Sequence, residues 1–166
     1  MPVTAQTSGP GFAKIKADLA RLKKSDVLVG VPASTTQRKD EPITNAGLLF
    51  LHTHGSPINN IPARPTLEPA ITENQALISP QLAKASQAII DNKPAEAEKY
   101  LMRAGTIAAN AAKRKFGSAE LAPNAPSTIA RKGSDKPLID TGSLRRSIVA
   151  VVRIVGKQPI QSEENQ

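Results

Sequence analysis

The stretch PAEAEKYLMRAGTIAANAAKRKF, residues 94–116, predicts a helix whose inward side is built from small residues. Pro94 suits the first position of a helix, because the N–H that proline lacks would have no helical partner there. The apolar residues that recur at helical spacing are mostly alanine: Ala97, Leu101, Ala104, Ala108 and Ala111. We therefore expect a neighbouring helix or sheet to approach the axis of this helix closely.

The sequence on either side contains further helical and strand-like patterns. Apolar residues at spacings of three and four predict helices, whereas runs rich in Val and Ile predict strands. Pro80 lies inside the helical pattern that starts at Leu67, where it predicts a kink or a break. We expect the two strands to pair with each other. The predicted helices cover residues 12–24, 44–53, 67–91 and 94–116, and the predicted strands cover residues 27–31 and 148–155. In the first helix the apolar stripe consists of Phe12, Ile15, Leu19 and Leu22.

The length of 166 residues fits one compact domain with tails. We place the domain at residues 12–155, between a flexible N-terminal segment, residues 1–11, and a flexible C-terminal tail, residues 156–166. Residues 33–42 and 117–137 are predicted to be mobile loops, because both lack hydrophobic periodicity and the second is rich in Gly and Pro. The second loop is long for a passive connection, which favours a functional role for it.

The composition excludes several classes of function. No cysteine is present, so the chain has no disulfide, no thiolate metal site and no thiol nucleophile. The N-terminal residues lack the pattern of a secretory leader, and no apolar run approaches the roughly 18 to 20 residues that span a bilayer. We expect no membrane contact and synthesis in the cytoplasm. With three Phe, one Tyr and no Trp, the core has to be built largely from Ala, Leu, Ile and Val, and assembly could supply further burial.

The net charge of +8, from 22 Lys and Arg against 14 Asp and Glu, favours polyanionic partners such as nucleic acid or an acidic protein surface. The positive residues form short clusters with almost no aromatic residues between them, so platforms for base stacking are nearly absent. Sequence-specific binding of single strands is therefore disfavoured. The clusters are Arg38-Lys39, Lys113-Arg114-Lys115, Arg131-Lys132 and Arg145-Arg146.

Patterns that carry catalysis or cofactor binding are almost absent from the sequence. His52 and His54 are the two histidines, and without a third ligand nearby we interpret them as surface or helix-end residues. Asp140-Thr141-Gly142 matches the aspartic-protease triplet, but a single copy is better explained as a turn that feeds the last strand, with Gly142 supplying unusual backbone angles. Neither a phosphate-binding loop nor a dinucleotide fingerprint occurs. We predict no enzymatic activity, no cofactor and no metal site.

Two segments of the sequence form extended motifs. The first is IPARPTL, residues 61–67, shortly after a His-Gly-Ser turn, and the second is APNAPSTIARKGSDKPLIDTGSLRRSI, residues 122–148. They resemble the IPARPF-L signature and the PSTIxxKGSxKPLIDTGxLxxSI element of the tail-completion or head-to-tail joining family of long-tailed bacteriophages. The order of the predicted elements matches as well, so the resemblance covers residues 12–155. Thr66 departs from the family's usual aromatic residue, and the sequence HTHG replaces the usual HEFG at residues 52–55.

The resemblance implies an α/β fold, of the α+β kind, in which a small twisted β-sheet is covered by helices. It also implies a structural virion protein of the phage neck, whose subunits form rings that are commonly hexameric. Such a ring would link the tail tube to the head connector and enclose the DNA channel. The expected partners are further copies of the chain, the connector or stopper protein, tail-terminator or tail-tube proteins, and genomic DNA bound without sequence recognition. The chain would be made in the host cytoplasm and would end at the head-proximal end of the tail in the virion.

The two motif segments supply the candidate assembly residues. Pro62 and Pro65 stiffen a turn that presents Arg64 for a specific polar contact, so an Arg64→Ala chain is predicted to fold but to assemble poorly. The entrance to the last strand is shaped by Asp140, Thr141 and Gly142, and Leu144 anchors that strand. The charges that would face DNA, or acidic groups of a neighbouring subunit, are Arg131, Lys132, Arg145 and Arg146.

Three other functions stay open at this point. A tail terminator is a different ring at the same end of the tail. A basic DNA-binding packaging accessory protein would use the same positive charges without forming a ring. An endopeptidase built around Asp140 has the least support, since the triplet occurs once. Size-exclusion chromatography with light scattering separates a ring from a DNA-binding monomer.

Overall fold

A computed structural model describes residues 10–32, 42–154 and 156–162. In these ranges the chain combines helices with a small antiparallel sheet, which confirms the predicted α+β class. None of the helices in these ranges is long and apolar enough to cross a bilayer. The helices are α1 (Pro10–Lys23), α2 (Asn45–His54), α3 (Leu67–Glu73), α4 (Gln75–Ile90), α5 (Pro94–Lys115), α6 (Pro126–Lys132) and α7 (Ser143–Arg146). The strands are β1 (Asp26–Gly30), β2 (Val149–Arg153) and β3 (Ile160–Gln161).

The sheet has the strand order β1-β2-β3, and both neighbouring pairs are antiparallel. β1 pairs with β2 from Asp26 opposite Arg153 to Gly30 opposite Val149, which confirms the predicted pairing of these strands. Asp26 and Arg153 also form an ion pair at the first of these positions. These two strands lie far apart in the sequence, and helix α5 packs against both of them.

Helix α5 lies directly against the sheet at Gly105. A Cβ atom on this residue would come within 2.6 Å of both the Ala150 Cβ and the Val27 Cγ2. The rest of the inward side of α5 is also small, and its buried residues include Ala97, Ala104, Ala108, Ala109, Ala111 and Ala112. This confirms the close approach that the sequence predicted. Helix α4 packs beside α5 through Ile78, Ala85 and Ile89, which are buried.

Replacing Gly105 with valine should lower the free energy of unfolding by about 2 kcal/mol or more, because the new side chain has no space between the helix and the sheet. Urea unfolding measures this change as a lower midpoint. Gly30→Val is the matched control, since a Cβ on Gly30 would meet no atom within 4 Å. Equal midpoints for the two variants would contradict the close packing.

The break in the central helical region falls at Asn74, between α3 and α4, and the helix continues through Pro80, so the prediction of a break at Pro80 is wrong. The Asn74 side-chain amide donates a hydrogen bond to the Ala70 carbonyl at 2.8 Å, and such local bonds compete with continuation of a helix. Pro80 lies inside α4. A proline inside a helix costs a backbone hydrogen bond, and the packing of α4 on α5 offsets that cost.

Two segments that were predicted to be irregular contain regular structure. Residues 117–137 include helix α6, and the flanking Leu121 and Pro137 are buried. The tail predicted from residue 156 onward includes β3, because Ser162 exchanges hydrogen bonds with Ala150 of β2. Residues 1–9 and 33–41, where most of the N-terminal segment and of the other predicted loop fall, lie outside the described residues, as do residues 163–166.

Helix α1 forms as predicted, but most of its apolar stripe is not buried. Phe12, Ile15 and Leu19 are 51%, 58% and 55% exposed. Leu22 packs against the cluster of Ala88, Ile89 and Ala97, and therefore attaches the end of α1 to the core. An amphipathic helix normally turns its apolar stripe inward. The outward stripe of α1 is thus a surface without a partner among the described residues.

Candidate functional site

The two motif segments line one cleft of about 840 Å³, which we call the motif cleft. Helices α2, α6 and α7 and the turns beside them form its walls. It brings together many of the residues that the sequence indicated: Pro62, Arg64, Arg131, Lys132, Asp140, Thr141, Gly142 and Leu144. Pro65, Arg145 and Arg146 do not line it. The residues that the sequence did not indicate include Leu48, His52, Asn59, Asn60, Asn124 and Thr128.

The first motif segment folds back on the end of α2. Gly55 ends α2 with a φ of 73°, and a Cβ atom there would lie 2.8 Å from both the Ala63 nitrogen and the Ile61 oxygen. Glycine is therefore required at this turn. The backbones of Ser56 and Ile61 pair with each other, and the Arg64 N–H donates to the His52 carbonyl at 2.6 Å. These bonds hold Arg64 against α2.

The Arg64 side chain joins the two motif segments. It is 7% exposed, its Nε donates to the Ala122 carbonyl at 2.7 Å, and its Nη2 donates to the Pro123 carbonyl at 2.7 Å. Burial lowers the pKa of the Arg64 guanidinium, which nevertheless stays protonated at neutral pH. The sequence predicted a specific polar contact for Arg64, and both acceptors lie in the same chain. A contact of Arg64 with another subunit stays a prediction.

The second motif segment is closed on itself by side-chain bonds to its backbone. The Asn124 amide donates to the carbonyls of Asp135 at 3.1 Å and Lys136 at 3.3 Å. The Lys132 ammonium also donates to the Lys136 carbonyl, at 2.6 Å. The segment around α6 is therefore a compact loop, and α6 presents Arg131 at the rim of the motif cleft.

The Asp140-Thr141-Gly142 triplet forms the turn that begins α7, which leads into β2. Gly142 has a φ of 80°, so the unusual backbone angle predicted for it is confirmed. The Thr141 hydroxyl accepts a hydrogen bond from the Ser143 N–H at 3.3 Å. Leu144 is buried in the core cluster that also contains Phe116 and Ile148, which confirms its anchoring role. Asn45 at the start of α2 donates to the Ser143 hydroxyl at 3.3 Å and ties α7 to α2.

The basic residues beside the motif cleft are not neutralised within the described part of the chain. Among residues 10–32, 42–154 and 156–162, no carboxylate forms an ion pair with Arg131, Lys132, Arg145 or Arg146. Arg131, Arg145 and Arg146 are also exposed. Lys115, at the end of α5, differs from them, because its ammonium group forms ion pairs with both Glu73 and Glu120. The positive charge beside the cleft is thus available to an anionic partner.

His52 lines the motif cleft next to Arg64, and its environment disfavours a positive charge. Burial lowers the pKa of His52, and the nearby positive charge of Arg64 lowers it further. Its Nδ1 is buried and accepts or donates no hydrogen bond among the described residues. The sequence predicted a surface or helix-end histidine. His52 lies near the end of α2, as expected, but it is half-buried rather than on the surface.

Acidification should destabilise the folded chain through His52. The folded state favours the neutral ring, whereas the unfolded chain protonates it near pH 6.5, so the stabilisation is complete above that pH and is lost as the pH falls below it. We expect the urea midpoint to decrease from about pH 7 to about pH 5, and His52→Gln to reduce that decrease. His54→Gln, on the exposed end of the same helix, is the control. An identical pH dependence in the wild type and in His52→Gln would contradict this account.

The cleft is lined by amide, hydroxyl, basic and apolar side chains together with the carboxylate of Asp140. In the part of the chain that the structure describes, no three His, Cys, Asp or Glu side chains converge to hold a metal ion. Asp140, which also lines the cleft, is exposed. Comparisons with protein-family models, with curated proteins and with solved structures returned no match.

Proposed function

We propose that this chain is a structural protein of the neck of a long-tailed bacteriophage, a ring-forming tail-completion or head-to-tail joining subunit without catalytic activity. In this role it links the tail tube to the head connector and encloses the DNA channel. The observation that carries the proposal is the pair of hydrogen bonds from Arg64 to Ala122 and Pro123. Through them, the two segments that resemble one family become the walls of a single cleft.

The shape and lining of the motif cleft suit a segment of another protein. The cleft is partly open to solvent, and Pro62 and Pro123 give its walls a fixed backbone. The side-chain oxygens of Asn59 and Asn124 and the hydroxyl of Thr128 offer hydrogen bonds to a backbone, while Arg131 and Lys132 offer charge. Sites for small substrates are more enclosed and mostly apolar. In the proposed role, the segment that binds in the cleft belongs to a connector, tail-terminator or tail-tube subunit.

A basic DNA-packaging accessory protein is the second candidate, because Arg131, Arg145 and Arg146, which form no ion pair among the described residues, would suit DNA as well. The two candidates differ in oligomeric state. A neck ring gathers the charge of several copies around one channel, whereas an accessory protein acts without a ring. A tail terminator would also form a ring, and its position in the particle distinguishes it.

Removal of the gene product from a phage infection tests the proposed function. We expect DNA-filled heads and finished tails that do not join, and we expect supplied wild-type chain to restore joined, infectious particles. Empty heads would instead favour the packaging function. Tails of uncontrolled length would favour the tail terminator. Joined and infectious particles without the chain would overturn the proposal.

The segment 117–137 should become protected from hydrogen exchange on assembly. Helix α6 has no buried residue, so its amides should exchange quickly in the free chain. In the ring, contact with a neighbouring protein should slow exchange in α6, while amides of α5 next to the sheet stay protected in both states. Equal exchange of α6 in the free and assembled protein would contradict a role for this segment in assembly.

A further inference from the structure

We infer that neighbouring copies in the ring contact each other head to tail, with the apolar stripe of α1 on one copy docked against the surface around α3 and the first turn of α4 on the next. This inference rests on the proposed function, in which the subunits form a ring. The docking surface on α1 consists of Phe12, Ile15, Leu19, Lys16 and Lys23. The receiving surface consists of Glu68, Ile71, Glu73, Leu77 and Glu120.

The α1 surface is apolar in the middle and basic along one side. At about 100° per residue, Phe12, Ile15 and Leu19 fall within roughly 60° of one another on the helix, and Lys16 and Lys23 lie within roughly 40° of Phe12. Neither lysine has an ion-pair partner among the described residues. Asp18, the carboxylate of α1, is 8% exposed and bonds to Lys14 and Arg21 on the other side of the helix.

The receiving surface has the complementary character. Ile71 is 37% exposed and Leu77 is 59% exposed, and these side chains flank the break at Asn74. Glu68 lies one turn before Ile71 on the same face of α3 and forms no ion pair in the described part of the chain. Glu73 and Glu120 both form ion pairs with Lys115, whose side chain is 12% exposed. Two carboxylates thus share one ammonium group, and Glu68 adds a carboxylate without an ion pair among the described residues.

The two surfaces lie at opposite ends of α4. Leu22 attaches α1 to Ala88 and Ile89 near the end of α4, whereas Leu77 belongs to the first turn of α4. At 1.5 Å per residue, the two attachment points are roughly 17 Å apart along α4. A contact between two different surfaces repeats from copy to copy, and it closes into a ring when the rotation permits.

Disulfide trapping tests the contact directly, because the chain contains no cysteine of its own. A chain carrying both Leu19→Cys and Leu77→Cys, oxidised at high concentration and in assembled particles, should give covalent ladders that end at the ring size. A mixture of chains carrying one substitution each should stop at dimers. Leu19→Cys with Ile58→Cys is the control, since Ile58 is 95% exposed and lies outside the receiving surface.

Charge reversal supplies the second arm of the test. Lys16→Glu and Glu68→Lys should each raise the concentration at which half of the chain is assembled by at least 10-fold, and the two changes together should recover part of that loss. Circular dichroism checks that each variant folds. Covalent dimers from Leu19→Cys alone would place α1 against α1 and overturn the inference, as would a wild-type ring in which the α1 to α4 disulfide does not form. In both cases the proposed function would stand, whereas a wild-type chain that is monomeric in solution and in the particle overturns both.

Discussion

The Arg64→Ala chain should unfold with a free energy about 3 to 4 kcal/mol below that of the wild type. The guanidinium is buried and donates to the carbonyls of Ala122 and Pro123, and each hydrogen bond from a charged donor contributes about 1.5 to 3 kcal/mol. Its loss leaves two acceptors without a donor and separates the walls of the motif cleft. The sequence predicted a chain that folds and assembles poorly, and the structure adds a cost in stability to that prediction.

Urea unfolding and hydrogen exchange of residues 118–125 measure this effect. Arg64→Lys should recover little of the stability, because one ammonium group cannot reproduce the forked geometry of a guanidinium. Arg131→Ala, which removes an exposed arginine at the rim of the same cleft, is the matched control and should change stability by less than about 0.5 kcal/mol. If Arg64→Ala unfolds like its control, then Arg64 does not hold the two segments together.

Changing Arg131, Lys132, Arg145 and Arg146 to glutamine should weaken DNA binding by the assembled ring strongly. Each lost phosphate contact makes the negative slope of log affinity against log salt less steep by about 0.9. Near 0.1 M salt this corresponds to a loss of affinity of roughly 8-fold. The loss of two such contacts from the whole ring would thus weaken binding on the order of 100-fold, and further lost contacts would weaken it more. The isolated chain should bind DNA weakly, without sequence preference and with a strong dependence on salt, because stacking aromatic residues are almost absent.

Binding of DNA by ring and monomer at several salt concentrations measures this effect. The control removes equal charge from exposed residues of α4 and α5: Lys84, Lys99, Arg103 and Arg114. An intact ring that releases DNA would assign the four residues to the channel. A ring that dissociates would assign them to contacts between subunits, and no change in either property would contradict both roles.

The regular part of the fold follows closely from the sequence because its signals are local. The alanine pattern of residues 94–116 predicts α5 and its close contact with the sheet, and Gly105 supplies that contact. The Val-rich runs predict β1 and β2 and their pairing. Asn74 ends α3 through a side-chain bond to Ala70, and because such a bond gives no periodic signal, the helical pattern could not locate this break. The short strand β3 depends on Ser162 meeting Ala150, a contact that only the folded chain brings together.

The candidate site could be predicted in part. The two motifs indicate Arg64 and the Asp140-Thr141-Gly142 turn, and the structure brings both to the motif cleft. The acceptors of Arg64 are backbone carbonyls, which carry no sequence signal, so the joining of the segments could not be predicted. The exposure of the α1 stripe could not be predicted either, because helical periodicity gives the apolar face without saying whether this chain or another covers it.

Cryo-imaging of the whole particle, at a resolution that traces individual chains, tests the proposed neck function most directly. We expect this chain to form a closed ring between the head connector and the tail tube, with the motif cleft occupied by a segment of a neighbouring ring and α1 of each copy against α3 and α4 of the next. A particle in which the chain is absent from the neck, or is bound there as separate copies that do not touch, would contradict the account.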